Sequence, residues 1–379
     1  MAAASVETCD ILVIGAGMAG ASVAFELARK HRVLLAERES QPGYHTTGRS
    51  AALFSETYGP PQIRALSRAS RAFFDGPPAG FTSDRILSPR GVLTVARSDQ
   101  VEALEREFST FPVGEKVRRV SAAEASKLMP LLRDGYVADA IHDTSARDID
   151  VHALHHGYLR QFRAAGGRLE TDAEILGIER DAGGWRIHPR DLDIRADIVV
   201  NAAGAWADVI GAQAGAHPIG LVPKRRTALI VAAPDGAAIG QWPMVVDVDE
   251  EFYIKPDAGR FLMSPADETP SAPCDAQPEE LDVAICIDRI GTAFDFPIHR
   301  VENKWAGLRS FVADKTPVAG FDPRLPGFFW LAGQGGYGIQ TAPALSRFAA
   351  ALVGGETLPG DIIDEGLDPR ALSPARLQA

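Results

Sequence analysis

The sequence predicts an α/β chain of two units. One is a layered, nucleotide-binding unit built on parallel strands. The other is a discontinuous α+β unit containing an antiparallel or mixed sheet. Three observations carry this expectation. A buried strand, a glycine-rich turn, a helix and a second strand open the chain between Ile11 and Ala36. Glycine-bearing segments of similar character recur in the middle, at Asn201–Gly204, and near the end, at Gly333–Gly338. Between these, from Thr227 to Pro265, the pattern changes to β-rich segments with turns. A length of 379 residues exceeds what one compact core ordinarily organises, which also favours two units.

The elements follow in chain order. Ile11–Ile14 is a short apolar run, the mark of a strand buried on both faces. Ala21–Lys30 consists of good helix formers, and Arg32–Ala36 returns as a strand. Helical spacing recurs at Gln62–Phe74 and at Ala122–Leu132, the latter preceded by Ser121 and Glu124 in capping-box spacing. Val151–Ala165 reads as a helix stopped by Gly166-Gly167. Asp197–Val200 is another buried strand, and Asp257-Ala258-Gly259 reads as a turn between two strands. Ile339–Val353 is the last helix. The nucleotide-binding unit is therefore expected at 1–85, 146–219 and 306–379, and the second unit at 86–145 and 220–305.

Composition narrows the partners. Hydrophobic residues make up 46% and charged residues 23%, as in an ordinary globular enzyme. A formal net charge of −11 argues against nucleic acid and against an anionic membrane surface. Cys9, Cys274 and Cys286 show no C-x-x-C spacing, so neither a zinc site nor a redox dithiol is expected. Residues 1–10 lack the apolar core of a signal peptide, and no apolar run is long enough to span a bilayer. A cytoplasmic location is expected.

The glycine turn carries chemistry. Gly15-Ala16-Gly17-Met18-Ala19-Gly20 matches G-x-G-x-x-G, follows a buried strand and opens a helix. Glu37 lies seventeen residues after Gly20, at the end of the second strand, where it can accept hydrogen bonds from ribose hydroxyls. Gly15 suits the tight turn, Gly17 the close approach of a pyrophosphate, and Gly20 the packing of helix on strand. A Rossmann-type dinucleotide domain follows. NAD and FAD both remain open on this motif. The segment Gln41 to Ala52, rich in small hydroxyl residues, suits a loop wrapped around a flavin and its pyrophosphate.

The fingerprint with Glu37, the loop Thr46–Ala52 and the terminal run Gly333-Gln334-Gly335-Gly336-Tyr337-Gly338-Ile339-Gln340-Thr341 together resemble the D-amino acid oxidase superfamily of flavoproteins. Glycine and sarcosine oxidases belong to the same group. More closely, Gly43–Ala52, Arg71–Phe81 with Leu87–Arg90, Pro223–Arg226, Phe252–Gly259 and Trp305–Asp314 resemble the bacterial FAD-dependent D-arginine dehydrogenases. The resemblance implies non-covalent FAD in a Rossmann-type domain, with a β-sheet substrate domain over the flavin. The implied cofactor residues are Gly15, Gly17, Ala19, Gly20, Glu37, Arg38, Thr46, Thr47, Gly48, Arg49, Ser50, Ala51, Ala203 and Gly204. From the terminal run come Gly335, Gly336, Tyr337, Gly338, Ile339, Gln340 and Thr341.

The resemblance also assigns roles at the reacting end. Arg226 and Arg309 resemble the carboxylate-binding arginines, and Tyr58 and Tyr253 the active-site tyrosines. Gly336 resembles the residue whose backbone meets the substrate amine, with Gln340 beside it. Arg is the residue type such a task needs, because its planar fork pairs bidentately with a carboxylate. Ser55, Leu53 and Val92 fall at the side-chain pocket. Two of these depart from the arginine-type pattern: Val92 replaces a Glu and Leu53 a His. The reaction class survives these changes, whereas D-arginine as substrate does not follow.

The expected reaction is oxidative deamination of an amino acid, with hydride leaving Cα for flavin N5. A helix starting at Ile339–Thr341 would stabilise the negative charge that reduction places on the flavin. No His or carboxylate stands out as a base, so the amine would lose its proton to water or through Tyr58. An apolar D-amino acid is expected as substrate, with a quinone, another carrier or O2 as electron acceptor. Oxidation of a secondary amine or a 2-hydroxy acid is the same-class alternative, and a non-catalytic flavin-binding subunit the other-class one. His152, His155 and His156 lie at i, i+3 and i+4 on a helix without further ligands spaced to join them, so no metal is expected. Trp206 and Trp305 read as packing.

Overall fold

The computed structural model describes residues 6–111, 114 and 116–377. The N-terminal reading therefore lies outside the described residues where it concerns residues 1–5.

The first sheet is built on Glu7–Ile14. This strand pairs in parallel with Val33–Ala36 on one side and with Ile194–Asn201 on the other. Arg168–Glu170 extends the parallel order beyond Val33–Ala36. Ile194–Asn201 shares its far edge between two neighbours. Its first half pairs with Gly184–Pro189 of an antiparallel hairpin, and its last three residues pair in parallel with Phe328–Ala332. Burial explains the apolar run of the opening strand. Ile11 and Val13 face helices Met18–Ala28, Val151–Ala164 and Gly338–Val353, while Leu12 and Ile14 pack with Leu34, Trp185 and Trp330 on the opposite face.

The second large sheet has eight strands. Its order is Val301–Phe311, Val222–Ala232, Arg260–Ser264, Tyr253–Asp257, Met244–Asp247, Val92–Ala96, Asp139–Asp143 and Val117–Ser121. Only Met244–Asp247 and Val92–Ala96 run parallel, so the sheet is mixed. One face buries Leu93, Val95, Phe252 and Phe261 against helix Glu280–Ala293 through Val283, Cys286 and Ile290. That helix lies beyond the β-rich stretch expected at Thr227–Pro265, in a part of the second unit where the sequence suggests no element. Val301–Phe311 crosses the expected boundary at 305/306 as one continuous strand.

Helix boundaries fall close to those the spacing suggests. The expected Gln62–Phe74 is Pro61–Asp75, with proline at its first turn. Ser121 and Glu124 form the capping box: Ser121 Oγ accepts from Glu124 N at 3.3 Å, and Glu124 Oε2 accepts from Ser121 N at 3.0 Å. The helix it opens ends at Leu128, short of the expected Leu132. Pro130 is the cause, since it drives Met129 out of the helical region to φ −131° and ψ 87°.

Candidate active site

The site begins where the parallel strands end. Ile14, Ala36 and Asn201 finish level, tied by Gly15 N to Ala36 O at 2.7 Å and Ala202 N to Ile14 O at 2.9 Å. Open parallel sheets bind ligands in such a crevice. Gly15 turns the chain with φ +97°, and a Cβ there would sit 2.6 Å from Ala202 O. A Cβ at Gly20 would meet Gly15 O at 1.7 Å, so this glycine lets the helix close on the turn. Glu37 Oε2 accepts from Ala16 N at 2.7 Å and Oε1 from Glu39 N at 3.0 Å. These two backbone donors fix the carboxylate at the cleft wall. Thr47 Oγ1 accepts from Met18 N at 2.9 Å, satisfying one of the helix's unpaired first-turn N–H groups.

From this crevice a cleft of about 1700 Å3, counting its open mouth, runs along the first sheet to the second. It is lined by Gly15, Gly17, Ala19, Glu37, Arg38, Thr46, Thr47, Arg49, Ser50, Ala51, Ala203 and Gly204, and farther on by Gly335, Gly336, Gly338 and Ile339. Arg226, Tyr253 and Arg309 line its far end. The loop after Gly43 is laced to the second sheet. Thr46 Oγ1 donates to Leu308 O at 2.8 Å, and Trp305 Nε1 donates to Arg49 O at 2.9 Å. These features suit a dinucleotide: a side-chain-free turn for the pyrophosphate, an oriented carboxylate for a ribose, and a first helical turn at Gly338–Gln340 for negative charge.

The far end is electropositive. Arg226 is 7% exposed; its Nη2 donates to Glu268 Oε1 at 3.3 Å, and its Nε has no partner. Burial, then the charge of Arg309, pulls Arg226 below the usual arginine range. Arg309 lies against the Gly336 backbone, so close that a Cβ on Gly336 would stand 2.8 Å from its Nη1. Burial works against Arg309's charge, but Tyr58 and Tyr253 outweigh it and hold the guanidinium above its ordinary value. Tyr58 packs on Tyr337 with ring centroids 4.9 Å apart, in a cluster with Ile63 and Phe311. Burial raises the Tyr58 phenol above its ordinary value despite Arg309. Tyr58 therefore stays a neutral phenol at neutral pH.

Several residues expected at the cofactor do not line the cleft. Gly20 and Gly48 act through the backbone: Gly48 N donates to Gly43 O at 2.8 Å to close the loop. Tyr337 turns into the aromatic cluster with Tyr58. Thr341 donates back to Tyr337 O at 2.9 Å inside its helix. Gln340 is buried, and its Oε1 accepts from Ser55 N at 3.0 Å. Arg49 reaches the cleft, but its guanidinium is engaged by Asp275, by Ala276 O at 3.0 Å and by Ala306 O at 2.9 Å.

None of the three residues expected at the side-chain pocket lines the cleft itself, and they divide in what they touch. Leu53 and Val92 pack with Met244, Tyr253, Leu262 and Val246 in one apolar cluster beside the arginine end. Ser55 instead turns to a buried carboxylate. Its Oγ lies 3.3 Å from Asp143 Oδ2, which also accepts from Thr57 Oγ1 at 3.1 Å. Asp143 Oδ1 accepts from Ser145 N and Oγ at 2.8 and 2.6 Å.

The near end also contains residues not singled out as cofactor ligands from the sequence. Glu39, His45, Glu174, Ile175, Trp206 and Gln213 line the cleft there. Arg38 lies over the Trp206 ring at 4.5 Å, and the His45 ring approaches the same indole at 4.8 Å. Trp206 therefore faces the cleft rather than only packing; its place directly after Asn201-Ala202-Ala203-Gly204-Ala205 was the available signal. His155 is buried, with Nε2 2.9 Å from Ala16 O, so it braces the glycine turn. Among the described residues no group of three His, Cys, Asp or Glu side chains is placed to hold a metal ion. Nor is any helix among them long and apolar enough to cross a membrane.

Comparison with known proteins adds three findings. The profile of the family described as "DAO: FAD dependent oxidoreductase" matches residues 10–352. Glycine oxidase of Geobacillus kaustophilus is 25% identical over 362 residues, covering 91% of this chain and 92% of the relative. The crystal structure of a glycine oxidase from that organism has a TM-score of 0.83 at 24% identity, covering 96% and 99% of the two chains. FAD-bound L-alpha-glycerophosphate oxidase from Mycoplasma pneumoniae scores 0.81 at 20% identity, covering 92% and 95%.

Proposed function

Because the chain belongs to the DAO family of FAD dependent oxidoreductases, we propose that it oxidises the Cα–N bond of a D-amino acid with an apolar side chain. One observation carries this reading. Arg226 and Arg309 both line one end of the cofactor cleft, Arg309 against Gly336, next to an apolar cluster around Tyr253. A small carboxylate with an apolar substituent matches that pairing.

Each part of the chain then has a task. The backbone of Gly15 and Gly17, the Glu37 carboxylate and the turn Gly335–Gly338 would hold FAD without a covalent bond. Bound FAD supplies the acceptor for the hydride that leaves Cα. Arg309 and Arg226 take the substrate carboxylate, whose two oxygens match a guanidinium fork. Tyr58, kept protonated by burial, donates a hydrogen bond rather than removing a proton. Tyr253, which lines the cleft, and the apolar cluster of Leu53, Val92 and Met244 packed behind it would receive the side chain and exclude water from it. The substrate ammonium gives its proton to water, and the imino acid released is hydrolysed to a 2-keto acid and ammonia.

A second reading follows from the 25%-identical glycine oxidase: the donor is glycine or a secondary amine such as sarcosine. Anaerobic mixing of the holoenzyme with D- and L-leucine, D-methionine, D-arginine, glycine and sarcosine separates them. Bleaching of the flavin fastest with D-leucine or D-methionine supports the first reading. Bleaching by glycine and sarcosine alone replaces it with the second.

A further inference from the structure

The strand Val222–Ala232 carries more positive charge toward the arginine end than two substrate anchors require. Lys224 and Arg226 are two residues apart on it and so share a face. The neighbouring strand sets Arg309 directly opposite Lys224, and Phe311 directly opposite Val222. Lys224 and Lys315 approach the Phe311 ring, their Nζ atoms 5.5 and 5.7 Å from its centroid. Three of these cations meet at one carboxylate. Lys224 Nζ donates to Glu268 Oε2 at 2.7 Å, Lys315 Nζ lies 3.9 Å from the same oxygen, and Arg226 Nη2 reaches Oε1 at 3.3 Å.

Glu268 is held in place by its backbone. The segment around it runs alongside the strand through Arg225 N to Thr269 O at 2.8 Å and Ser271 N to Pro223 O at 3.0 Å. Its side chain remains 29% exposed, whereas that of Arg226 is 7% exposed. The Arg226 contact is the longer of its two hydrogen bonds, and Nε of the same guanidinium has no partner. The protein thus already presents a carboxylate to an arginine that is read as the anchor for a substrate carboxylate.

We propose that Glu268 is a built-in competitor for Arg226. A substrate carboxylate takes Arg226 fully only by exchanging with Glu268, which Lys224 and Lys315 then retain. The triad Lys224–Glu268–Lys315 thereby sets the affinity of the site for carboxylates. Without Glu268 a nearly buried guanidinium would stand uncompensated, which is costly. Without the lysines Glu268 would bind Arg226 alone and block it. The inference rests on Arg226 as a carboxylate anchor.

The two roles Glu268 could have predict opposite signs. The probe is 4-methylpentanoate, a carboxylate with leucine's carbon skeleton and no amine to oxidise. It is titrated into the holoenzyme while flavin absorbance is followed. Glu268→Gln removes the competitor and lowers the probe's Kd at least about threefold. Lys224→Met releases Glu268 onto Arg226 and raises Kd by a similar factor, and the double variant returns to the Glu268→Gln value. A Kd unchanged or raised in Glu268→Gln overturns the proposal and leaves Glu268 as a mere support for Arg226. Arg226→Met separates the two levels: if it leaves Kd unchanged, the anchor assignment itself has failed.

Discussion

The Arg309 guanidinium occupies the space that any side chain at Gly336 would need. A Cβ there would stand 2.8 Å from Nη1, 3.0 Å from Cζ and 3.2 Å from Nε of Arg309. Gly336 is thus small for the sake of its neighbour as well as for close approach of a ligand. Gly336→Ala should displace the guanidinium without breaking the turn, because Gly336 lies outside the left-handed region. We expect kcat/KM to fall at least tenfold, mostly through KM, with FAD retained. A variant with full FAD content and unchanged KM would show that Arg309 does not hold the substrate.

The arginines themselves differ in what they already hold. Arg226 contacts Glu268 at 3.3 Å, whereas Arg309 is set among Tyr58, Tyr253 and Gly336. A charge-assisted hydrogen bond contributes about 1.5–3 kcal/mol, or roughly ten- to a hundredfold in affinity. Arg309→Met should raise KM across that range. Arg226→Met should raise it less, because Arg226 must give up its contact with Glu268 to take the substrate. Steady-state kinetics on both variants checks the order; equal kcat/KM to the parent in both would remove the carboxylate assignment.

Much of this geometry was legible in the sequence because it depends on backbone. The fingerprint, Glu37 and the glycines of the last loop bring their ligand groups along with their local conformation. The failures are long-range. Nothing near Gln340 in sequence announces that its amide oxygen accepts from Ser55 N, 285 residues away. Arg49 looked like a cofactor ligand until Asp275 and two carbonyls from distant segments were placed around it. Helix Glu280–Ala293 is not announced by the sequence although Val283, Cys286 and Ile290 keep helical spacing, because it has no side-chain cap and is rich in β-branched residues. His155 was weighed only as a metal ligand, while its partner is the carbonyl of Ala16.

That histidine gives the protein an acid limit. Burial pulls the His155 pKa down from 6.5 to about 4, with the neighbouring His156 and His152 adding to the effect. The unfolded chain therefore binds a proton that the native protein refuses between those values. Stability falls as pH drops through this window, by at most about 1.4 kcal/mol per pH unit. Because His155 braces Ala16, FAD should be released in the same range. His155→Gln keeps a donor for Ala16 O and lacks the titration. Thermal unfolding of both proteins between pH 7 and pH 4.5 should show a flatter slope for the variant; parallel slopes would place the acid limit elsewhere.

FAD should leave the protein intact when it is denatured. A covalent flavin needs an accessible nucleophile beside the ring; the cysteines do not offer one, and His45 lines the near end of the cleft, against Trp206 and Glu39. Cys9 is buried with its thiol pushed up to about 12, Cys286 is buried in the second core, and Cys274 is exposed and does not line the cleft. Acid precipitation should therefore return the yellow colour to the supernatant in full. Flavin remaining in the pellet would contradict this.

Substrate preference should turn on Val92. It packs with Leu53, Met244 and Tyr253, and its cross-strand neighbour is Asp143. The Asp143 carboxylate is already surrounded by Ser55, Thr57 and Ser145, so it offers little to an incoming cation. A guanidinium entering the apolar cluster would lose its water without gaining a partner, at a cost of several kcal/mol. An apolar side chain gains about 25 cal/mol per Å2 of area buried. D-Leucine or D-methionine should therefore exceed D-arginine in kcat/KM. Val92→Glu would set two carboxylates opposite each other across the strand pair, an arrangement that destabilises the sheet. A cationic substrate relieves that repulsion, so the variant should lose stability alone and regain it with D-arginine, while its preference moves toward basic substrates. Melting temperatures with and without D-arginine, beside kcat/KM for D-leucine and D-arginine, decide the matter. A D-arginine preference in the unmodified protein would refute the apolar reading and direct attention to Asp143 as the partner of the cation.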